Sequence, residues 1–180
     1  MTRNQLVANA LWALAAAVFS TASIPAQAQE IARYKSSGSA PSAILEGVLL
    51  PPGIETLLLS GQTATLPGTP DKSVPPETTS AQLGDTRQQT ASILARIKAT
   101  LERHGWSMSD VVRLTVYLVG DPAKGGRMDY EGMNRAYREY FGAAANANLV
   151  TRETVRIVAL AEPAYLVEIQ ATAARAAKRP

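Results

Sequence analysis

The sequence predicts an α+β fold in which two helices cover one face of a single sheet. Two segments repeat their apolar residues at intervals of three and four, the spacing of an amphipathic helix. Five others are apolar or alternate apolar and polar residues at period two, the pattern of a strand. Their order along the chain is strand, strand, helix, strand, helix, strand, strand, which is typical of α+β domains.

The two helices are predicted over residues 85–104 and 128–141. The first ends at Gly105, where a C-cap glycine is expected, and the second ends at Gly142. His104 is the only histidine in the chain, and favourable interaction with the helix dipole is a plainer role for it than catalysis. The apolar stripes of the two helices are Thr90, Ile93, Leu94, Ile97 and Leu101, and Met133, Ala136, Tyr137 and Tyr140.

Residues 111–118 are the clearest strand in the sequence. Their apolar side chains, from Val112 to Leu118 at every second position, share one face. The opposite face of the sheet would carry a mixed set of side chains that suits a subunit interface better than solvent, so we expect a homo-oligomer. That set is Arg113, Thr115, Tyr117, Thr154 and Arg156.

A first hairpin is predicted between residues 44–50 and 55–60. Its second strand runs into Ser60-Gly61-Gln62. Gly61 permits the close approach of a neighbour or a ligand, while Ser60 and Gln62 offer hydrogen-bonding groups. An ordinary strand end is the alternative interpretation of these three residues.

A second hairpin is predicted between residues 148–160 and 165–172, which flank a break at Pro163. Arg152 opens the first of these strands and Glu168 lies well inside the second. Antiparallel pairing would therefore bring a permanent cation and a carboxylate onto adjacent strands. We take Arg152 as the candidate functional centre.

The first 28 residues are predicted to be a bacterial secretory signal peptide. Arg3 gives a positive start, residues 6–19 are apolar, and residues 26–28 (AQA) form a small-x-small cleavage site. A membrane anchor is the alternative, but the apolar run is shorter than the ~20 residues that a spanning helix needs. We expect a periplasmic or secreted protein without a stable membrane anchor, with a flexible lead-in over residues 29–43 and one domain over residues 44–180.

Composition excludes several classes of function. The chain has 180 residues, a formal charge of +3 and 6% aromatic residues, which argues against a nucleic-acid partner. It has no cysteine, so disulfides and thiol chemistry are excluded. A stretch rich in Pro, Thr and Ser, residues 63–81, is predicted to be a long surface loop that is either a lid or a tolerated insertion.

Six short segments, in their order and spacing, resemble the RidA (YjgF/YER057c/UK114) family, and the resemblance extends from about residue 44 to residue 174. They are residues 59–62 (LSGQ), 86–90 (TRQQT), 110–117 (DVVRLTVY), 133–137 (MNRAY), 151–155 (TRETV) and 167–172 (VEIQAT).

The resemblance implies a chorismate-mutase-like fold, assembled as a homotrimer with ligand clefts between subunits. It also implies hydrolysis of reactive enamines and imines to 2-keto acids and ammonia, without a cofactor or a metal. The family's key arginine falls on Arg152, its cleft carboxylate on Glu168, its strand-end serine on Ser60 and its helix asparagine on Asn134. With Gly61 these residues form the predicted site.

Elementary chemistry agrees with these roles. An arginine fork binds a carboxylate with two parallel hydrogen bonds and stays charged at any working pH. An imine needs an oriented water and a group that exchanges protons, which Glu168 can supply. An ion pair between Arg152 and Glu168 that only ties strands or subunits together is the alternative, as is a surface or capping amide for Asn134.

The sequence departs from the family pattern beside the arginine. Val150 and Thr151 precede it where archetypal members have Pro-Ala, Thr154 stands where they have a cysteine, and no tyrosine near residues 39–44 matches their substrate loop. These differences leave the substrate open. The alternative function is a non-catalytic trimer that binds small carboxylates or acts as a chaperone-like interaction protein, and a nuclease activity is disfavoured because a basic aromatic surface is absent from the sequence.

Overall fold

The computed structural model describes residues 30–38, 42–69 and 74–177. The predicted signal peptide, residues 1–28, lies outside the described residues. Within them, the chain forms six strands and three helices. The strands are β1 (Ala32–Lys35), β2 (Leu45–Leu49), β3 (Ile54–Thr63), β4 (Val111–Leu118), β5 (Thr151–Arg156) and β6 (Val167–Ala176), and the helices are α1 (Ser80–Leu83), α2 (Thr86–Arg103) and α3 (Tyr130–Tyr140).

Four strands form one mixed sheet in the order β3-β6-β4-β5. β6 is antiparallel to both of its neighbours, whereas β4 and β5 are parallel. Parallel strands need a crossover connection, and α3 supplies it between β4 and β5. α2 likewise connects β3 to β4, which are parallel to each other with β6 inserted between them. The predicted α+β class is confirmed.

Both predicted hairpins are wrong. In the described chain β2 pairs with β1 and not with β3, while β5 pairs with β4 and not with β6. Residues 157–166 connect β5 to β6, a longer connection than the two to five residues of a tight hairpin, and they carry the chain past β4. Alternate residues of β6 are apolar and buried. Its interior position in the sheet pairs both of its edges, with β3 on one side and β4 on the other.

The two long helices begin and end close to where the sequence predicts. Asp85 caps α2 by accepting a hydrogen bond from the Gln88 amide at 2.8 Å, and Gly105 follows the helix with a φ of 70°, which suits glycine. No helix in the described ranges is long and apolar enough to cross a membrane.

The apolar stripes of α2 and α3 pack on one face of the sheet and form a single core. All five predicted stripe residues of α2 are buried, as are Met133, Ala136 and Tyr137 of α3, while Tyr140 is partly buried. Leu114, Val116 and Leu118 of β4 face these helices. The predicted arrangement of both helices on one face is therefore confirmed.

The opposite face of the sheet, here called the open face, differs in part from the prediction. Arg113, Thr115 and Tyr117 of β4 do project from it, but Thr154 and Arg156 were placed there wrongly. These two lie beside Val116 and Leu118 in parallel register, so they point to the helix side.

Glu153 and Val155 of β5 occupy the open face instead. Glu153 accepts hydrogen bonds from Arg113 at 2.7 Å and from Thr115 at 3.1 Å. The hydrogen bond from Arg113 is the main reason that the pKa of Glu153 lies below its ordinary value. Val155 and Leu58 of β3 add exposed apolar area to the same face.

The lead-in for which the sequence predicted no regular structure contains β1. Arg33 of β1 donates to the backbone carbonyl of Ser109 at 3.2 Å, immediately before β4. The amide of Leu45 in β2 donates to the Val150 carbonyl at 2.9 Å, immediately before β5. The two-stranded sheet β1-β2 is thus fastened to the domain by polar contacts at the strand beginnings.

The predicted loop 63–81 ends in helix α1 and shares a second, smaller core with the segment before β6. Val74 and Leu83 pack with Ala164 and Tyr165 in this cluster. One buried amide links the two regions. Gln89 of α2 donates to the carbonyls of Gly84 and Ala164 and accepts from the Leu166 amide at 2.9 Å.

We expect Gln89→Met to lower the free energy of unfolding by about 2 kcal/mol or more, because it keeps the volume and leaves the Leu166 amide and the Ala164 carbonyl buried without partners. Urea denaturation followed by circular dichroism measures the change. Lys98→Met, on the exposed side of the same helix, is the matched control and should change stability by less than about 0.5 kcal/mol. Equal effects of the two substitutions would contradict the role assigned to Gln89.

Candidate functional site

Arg152 lies at the beginning of β5, and its side chain reaches beneath α3. Its Nη2 donates to Asn134 Oδ1 at 2.8 Å and to the Tyr130 hydroxyl at 3.2 Å. The register explains this direction, because Arg152 lies beside Leu114 of β4, whose side chain is buried on the helix side of the sheet. Arg152 and Asn134, two predicted site residues distant in sequence, are therefore brought together.

Two aromatic rings flank the guanidinium. Its carbon lies 4.4 Å from the centre of the Tyr137 ring and 5.8 Å from that of Tyr130. A cation over a ring face gains roughly 0.5–2 kcal/mol, with more gained as water is excluded. Tyr137 is itself fixed, because its ring stacks on Phe141 at 5.0 Å and its hydroxyl donates to the Ala43 carbonyl at 2.9 Å.

One face of α3 supplies all three partners of the arginine. Tyr130, Asn134 and Tyr137 are spaced by four and three residues, so they lie above one another on the helix. The helix is anchored at its start by Asp129, whose carboxylate accepts from the Gly132 amide at 3.0 Å. Tyr130 and Tyr137 were not predicted as site residues, although their spacing around Asn134 is a signal in the sequence that could have identified them.

Several buried polar atoms of β5 have no hydrogen-bond partner within the described chain, and two of them belong to Arg152. Arg152 Nε and Nη1, and Thr154 Oγ1 two residues further along β5, are buried and have no hydrogen-bond partner among the described residues. A buried donor without an acceptor costs about 1–3 kcal/mol, and more when it is charged. Such a cost is characteristic of functional sites, where a ligand supplies the missing acceptor.

Burial raises the pKa of Tyr137, and the Arg152 charge opposes this increase without cancelling it. Tyr137 therefore remains a neutral phenol at neutral pH. A neutral ring keeps the electron-rich face that attracts the cation.

Glu168 lies on β6 beside Tyr117 of β4 and Thr63 of β3. Its side chain passes directly over Gly61, where any added side chain would overlap the carboxylate. Gly61 lies at a bulge in β3, next to the exposed Ser60. The close approach that the sequence predicted for Gly61 is thus made with Glu168.

The predicted proximity of Arg152 and Glu168 is wrong for a single chain. β4 lies between their strands, and Arg152 shares a side of the sheet with Leu114, whereas Glu168 shares the other side with Tyr117. The predicted site residues accordingly form two groups. Arg152 and Asn134 lie on the helix side, and Glu168 lies with Gly61 across the sheet, next to Ser60.

A cavity of about 840 Å³ has none of the five predicted site residues in its lining. It separates α2 from the segment after β3, and its polar side chains are largely used within the protein. Ser92 accepts from the Thr65 amide, Arg96 donates to the Thr63 carbonyl, and Gln88 caps α2. We therefore locate the candidate site at Arg152 and not at this cavity.

No cluster of three or more acidic or histidine side chains that could hold a metal ion occurs in the described ranges. His104 caps the end of α2 on the surface, where its backbone amide donates to the Leu101 carbonyl at 3.0 Å. This position agrees with the structural role that the sequence favoured for it.

A mixed sheet covered on one side by two crossover helices, with an arginine held between the sheet edge and the second helix, defines a class of small α+β proteins. The sequence profile of the endoribonuclease L-PSP family matches residues 53–175. A RutC family protein of Pyrococcus horikoshii is 37% identical over 100 residues, which are 56% of this chain and 71% of that protein.

Two solved structures extend the comparison. A protein of the conserved Rid family from Yersinia pestis is 26% identical with a TM-score of 0.58, covering 81% of this chain and 98% of that one. A protein of unknown function from Pseudomonas aeruginosa is 25% identical with a TM-score of 0.51, covering 80% and 92%.

The chain belongs to the endoribonuclease L-PSP family, which is the RidA (YjgF/YER057c/UK114) family that its motifs resemble. Membership supports a general role in enamine and imine chemistry or in small-molecule binding, without specifying a substrate.

We expect Tyr137→Phe to make stability less sensitive to alkaline pH. Because the folded state raises the pKa of Tyr137, its contribution is full below about pH 10 and is lost as pH rises towards the raised value. The free energy of unfolding, measured in urea at about pH 8 and about pH 10.5, should therefore fall less in the variant than in the wild type. At pH 8 the variant should be less stable by about 1 kcal/mol, since its bond to Ala43 is lost.

Gln89→Met provides the control for that experiment, because it weakens the fold without removing an ionisable group. Its stability should fall with pH as steeply as that of the wild type. If Tyr137→Phe also kept the wild-type slope, the buried phenol would not be the source of the alkaline loss.

Proposed function

We propose that this protein is an exported hydrolase of reactive imines and enamines that carry a carboxylate, releasing 2-keto acids and ammonia. The observation that carries the proposal is the Arg152 guanidinium, which is oriented by Asn134 and keeps two buried donors without an acceptor in the described chain. A substrate carboxylate supplies both the charge and the acceptors that this cation lacks. Family membership supports the same class of chemistry.

In the proposed reaction, water adds to the imine carbon. The new carbon–oxygen bond forms as the water gives a proton to a general base, which passes that proton to the nitrogen and gives a carbinolamine. The new hydroxyl then loses its proton to the nitrogen as the carbon–nitrogen bond breaks, which leaves a 2-keto acid and ammonia. An enamine first takes a proton on carbon and loses one from nitrogen to become the imine. Arg152 holds the carboxylate next to the reacting carbon, and Glu168 holds the water and accepts its proton.

A complete site of this kind needs more than one copy of the chain, because Arg152 and Glu168 lie on opposite sides of the sheet in a single copy. We propose a homotrimer in which Arg152 of one subunit meets Glu168 of the next. The open face supports an interface, since it combines the exposed Leu58 and Val155 with the ion pair of Arg113 and Glu153.

The same separation of Arg152 and Glu168 favours a second candidate function. If the assembly does not bring them together, the arginine group alone binds small carboxylates without turning them over. The description of the family profile names an endoribonuclease. We do not extend that activity to this chain, because a charge of +3 and 6% aromatic residues do not provide the stacking and basic surface that single-stranded RNA requires.

The proposed location is the periplasm or the exterior of a bacterium, on the basis of the predicted signal in residues 1–28. A substrate for an exported enzyme must be present outside the cytoplasm. Carboxylate-bearing imines made there by amine or amino-acid oxidation fit this requirement by their chemistry.

Arg152→Lys should lower kcat/KM for imino acids by about 100-fold, because a point charge cannot reproduce two parallel hydrogen bonds. An amino-acid oxidase generates the imino acids in situ, and ammonia release measures their hydrolysis. Arg156→Lys is the matched control, since Arg156 lies on the same face of β5 and donates to the Gly126 carbonyl instead. Near-normal turnover by Arg152→Lys would show that the two parallel hydrogen bonds of the guanidinium are not used. Equal rates for the wild type and Arg152→Ala would contradict the proposed enzymatic function.

Subunits carrying Arg152→Ala should restore activity to subunits carrying Glu168→Gln when the two are refolded together. Each site takes its arginine from one copy and its carboxylate from another, so random assembly gives about a quarter of the wild-type sites. Each variant alone should be nearly inactive in the ammonia assay.

The control for this mixing experiment is light scattering, which should give the mass of three chains for the wild type and both variants. A mixture that stays inactive while trimers form would place both residues of a site in one chain. A monodisperse monomer with full activity would remove the need for an assembled site.

A further inference from the structure

The side chains that contact Arg152 differ in their exposure. Asn134 and Tyr137 are buried, at 6% and 1% exposure, whereas Tyr130 is 44% exposed. Arg152 itself is half-buried. Of the three partners of Arg152, Tyr130 is therefore the one at the solvent side of the cluster.

The direction of the hydrogen bond between Arg152 and Tyr130 is fixed by chemistry. A guanidinium only donates, so the Tyr130 oxygen, 3.2 Å from Nη2, is the acceptor. The phenol has a single proton, and it remains free to donate to a third group. Among the hydrogen bonds of the described residues, Tyr130 donates none to the protein from this hydroxyl.

The geometry points to Tyr130 as a substrate-contacting residue: we infer that its hydroxyl donates a hydrogen bond to the carboxylate that Arg152 binds. An oxygen of that carboxylate, about 2.8 Å from a guanidinium nitrogen, lies within reach of a hydroxyl that is itself bonded to the same guanidinium. This inference rests on the proposed function, which places a carboxylate at Arg152.

A second donor changes what the site selects. A cation alone attracts any anion, whereas Arg152 and Tyr130 together present donors from two directions to one planar group. Loss of a hydrogen bond to a charged acceptor costs about 1.5–3 kcal/mol, which corresponds to a change of about tenfold or more in affinity. Because the carboxylate is present in both the ground state and the transition state, the change should appear mainly in KM.

The test compares Tyr130→Phe with the wild type. The variant keeps the ring that faces the cation and removes only the hydroxyl. We expect KM for imino acids in the ammonia assay to rise about tenfold while kcat changes by less than about threefold. The dissociation constant of a 2-keto acid product, pyruvate, measured by isothermal titration calorimetry, should rise by a similar factor. Tyr140→Phe removes a hydroxyl from the other end of α3 and should change neither quantity.

The outcomes separate this inference from the proposed function. If the wild type hydrolyses imino acids and Tyr130→Phe keeps the same KM, the contact is absent although the function stands. If kcat falls and KM does not, Tyr130 only orients Arg152. If the wild type neither hydrolyses imino acids nor binds pyruvate, the proposed function fails first. A crystal structure with pyruvate should place one carboxylate oxygen within about 3.2 Å of the Tyr130 hydroxyl, and a separation above about 4 Å would overturn the inference.

Discussion

The insertion of β6 between β3 and β4 determines where every candidate site residue lies. β6 forms hydrogen bonds along both edges, to β3 and to β4, and the side chains at its alternate positions are buried in the core. With β6 in that place, β5 cannot pair with β6, and it pairs along the free edge of β4. The side chains of the two strands are then fixed by the pleat, which directs Arg152 to the helix side and Glu168 to the open face.

The half-buried Arg152 cation is stable at the edge of this sheet because α3 supplies a hydrogen-bond acceptor and an aromatic ring. Asn134 provides an acceptor and the Tyr137 ring provides an electron-rich surface. Tyr137 also holds the segment before β2 through the Ala43 carbonyl, so the same residue joins the arginine to the N-terminal strands. The remaining donors of Arg152 have no acceptor among the described residues, and they identify where a bound carboxylate would form its hydrogen bonds.

Much of the fold could be predicted from short-range patterns. The stripe from Ile93 to Leu101 and the C-cap glycine Gly105 defined α2, and the alternation over residues 111–118 defined β4. The pairing of strands could not be predicted in the same way. An alternation of apolar and polar residues shows which residues share a face of a strand. It does not show which other strand lies beside that strand, so both hairpins were assigned the wrong partners.

For the site, the sequence by itself determined the residue types: a permanent cation at Arg152, a carboxylate at Glu168, and an amide at Asn134 on a helix. Each family motif is a short continuous segment, so it could be recognised in the sequence alone. Only the tertiary structure decided their grouping, because an edge-to-edge hydrogen-bond ladder depends on contacts between distant segments. In the folded chain Arg152 contacts Asn134 and Tyr130 of α3. Glu168 lies on the opposite side of the sheet from Arg152.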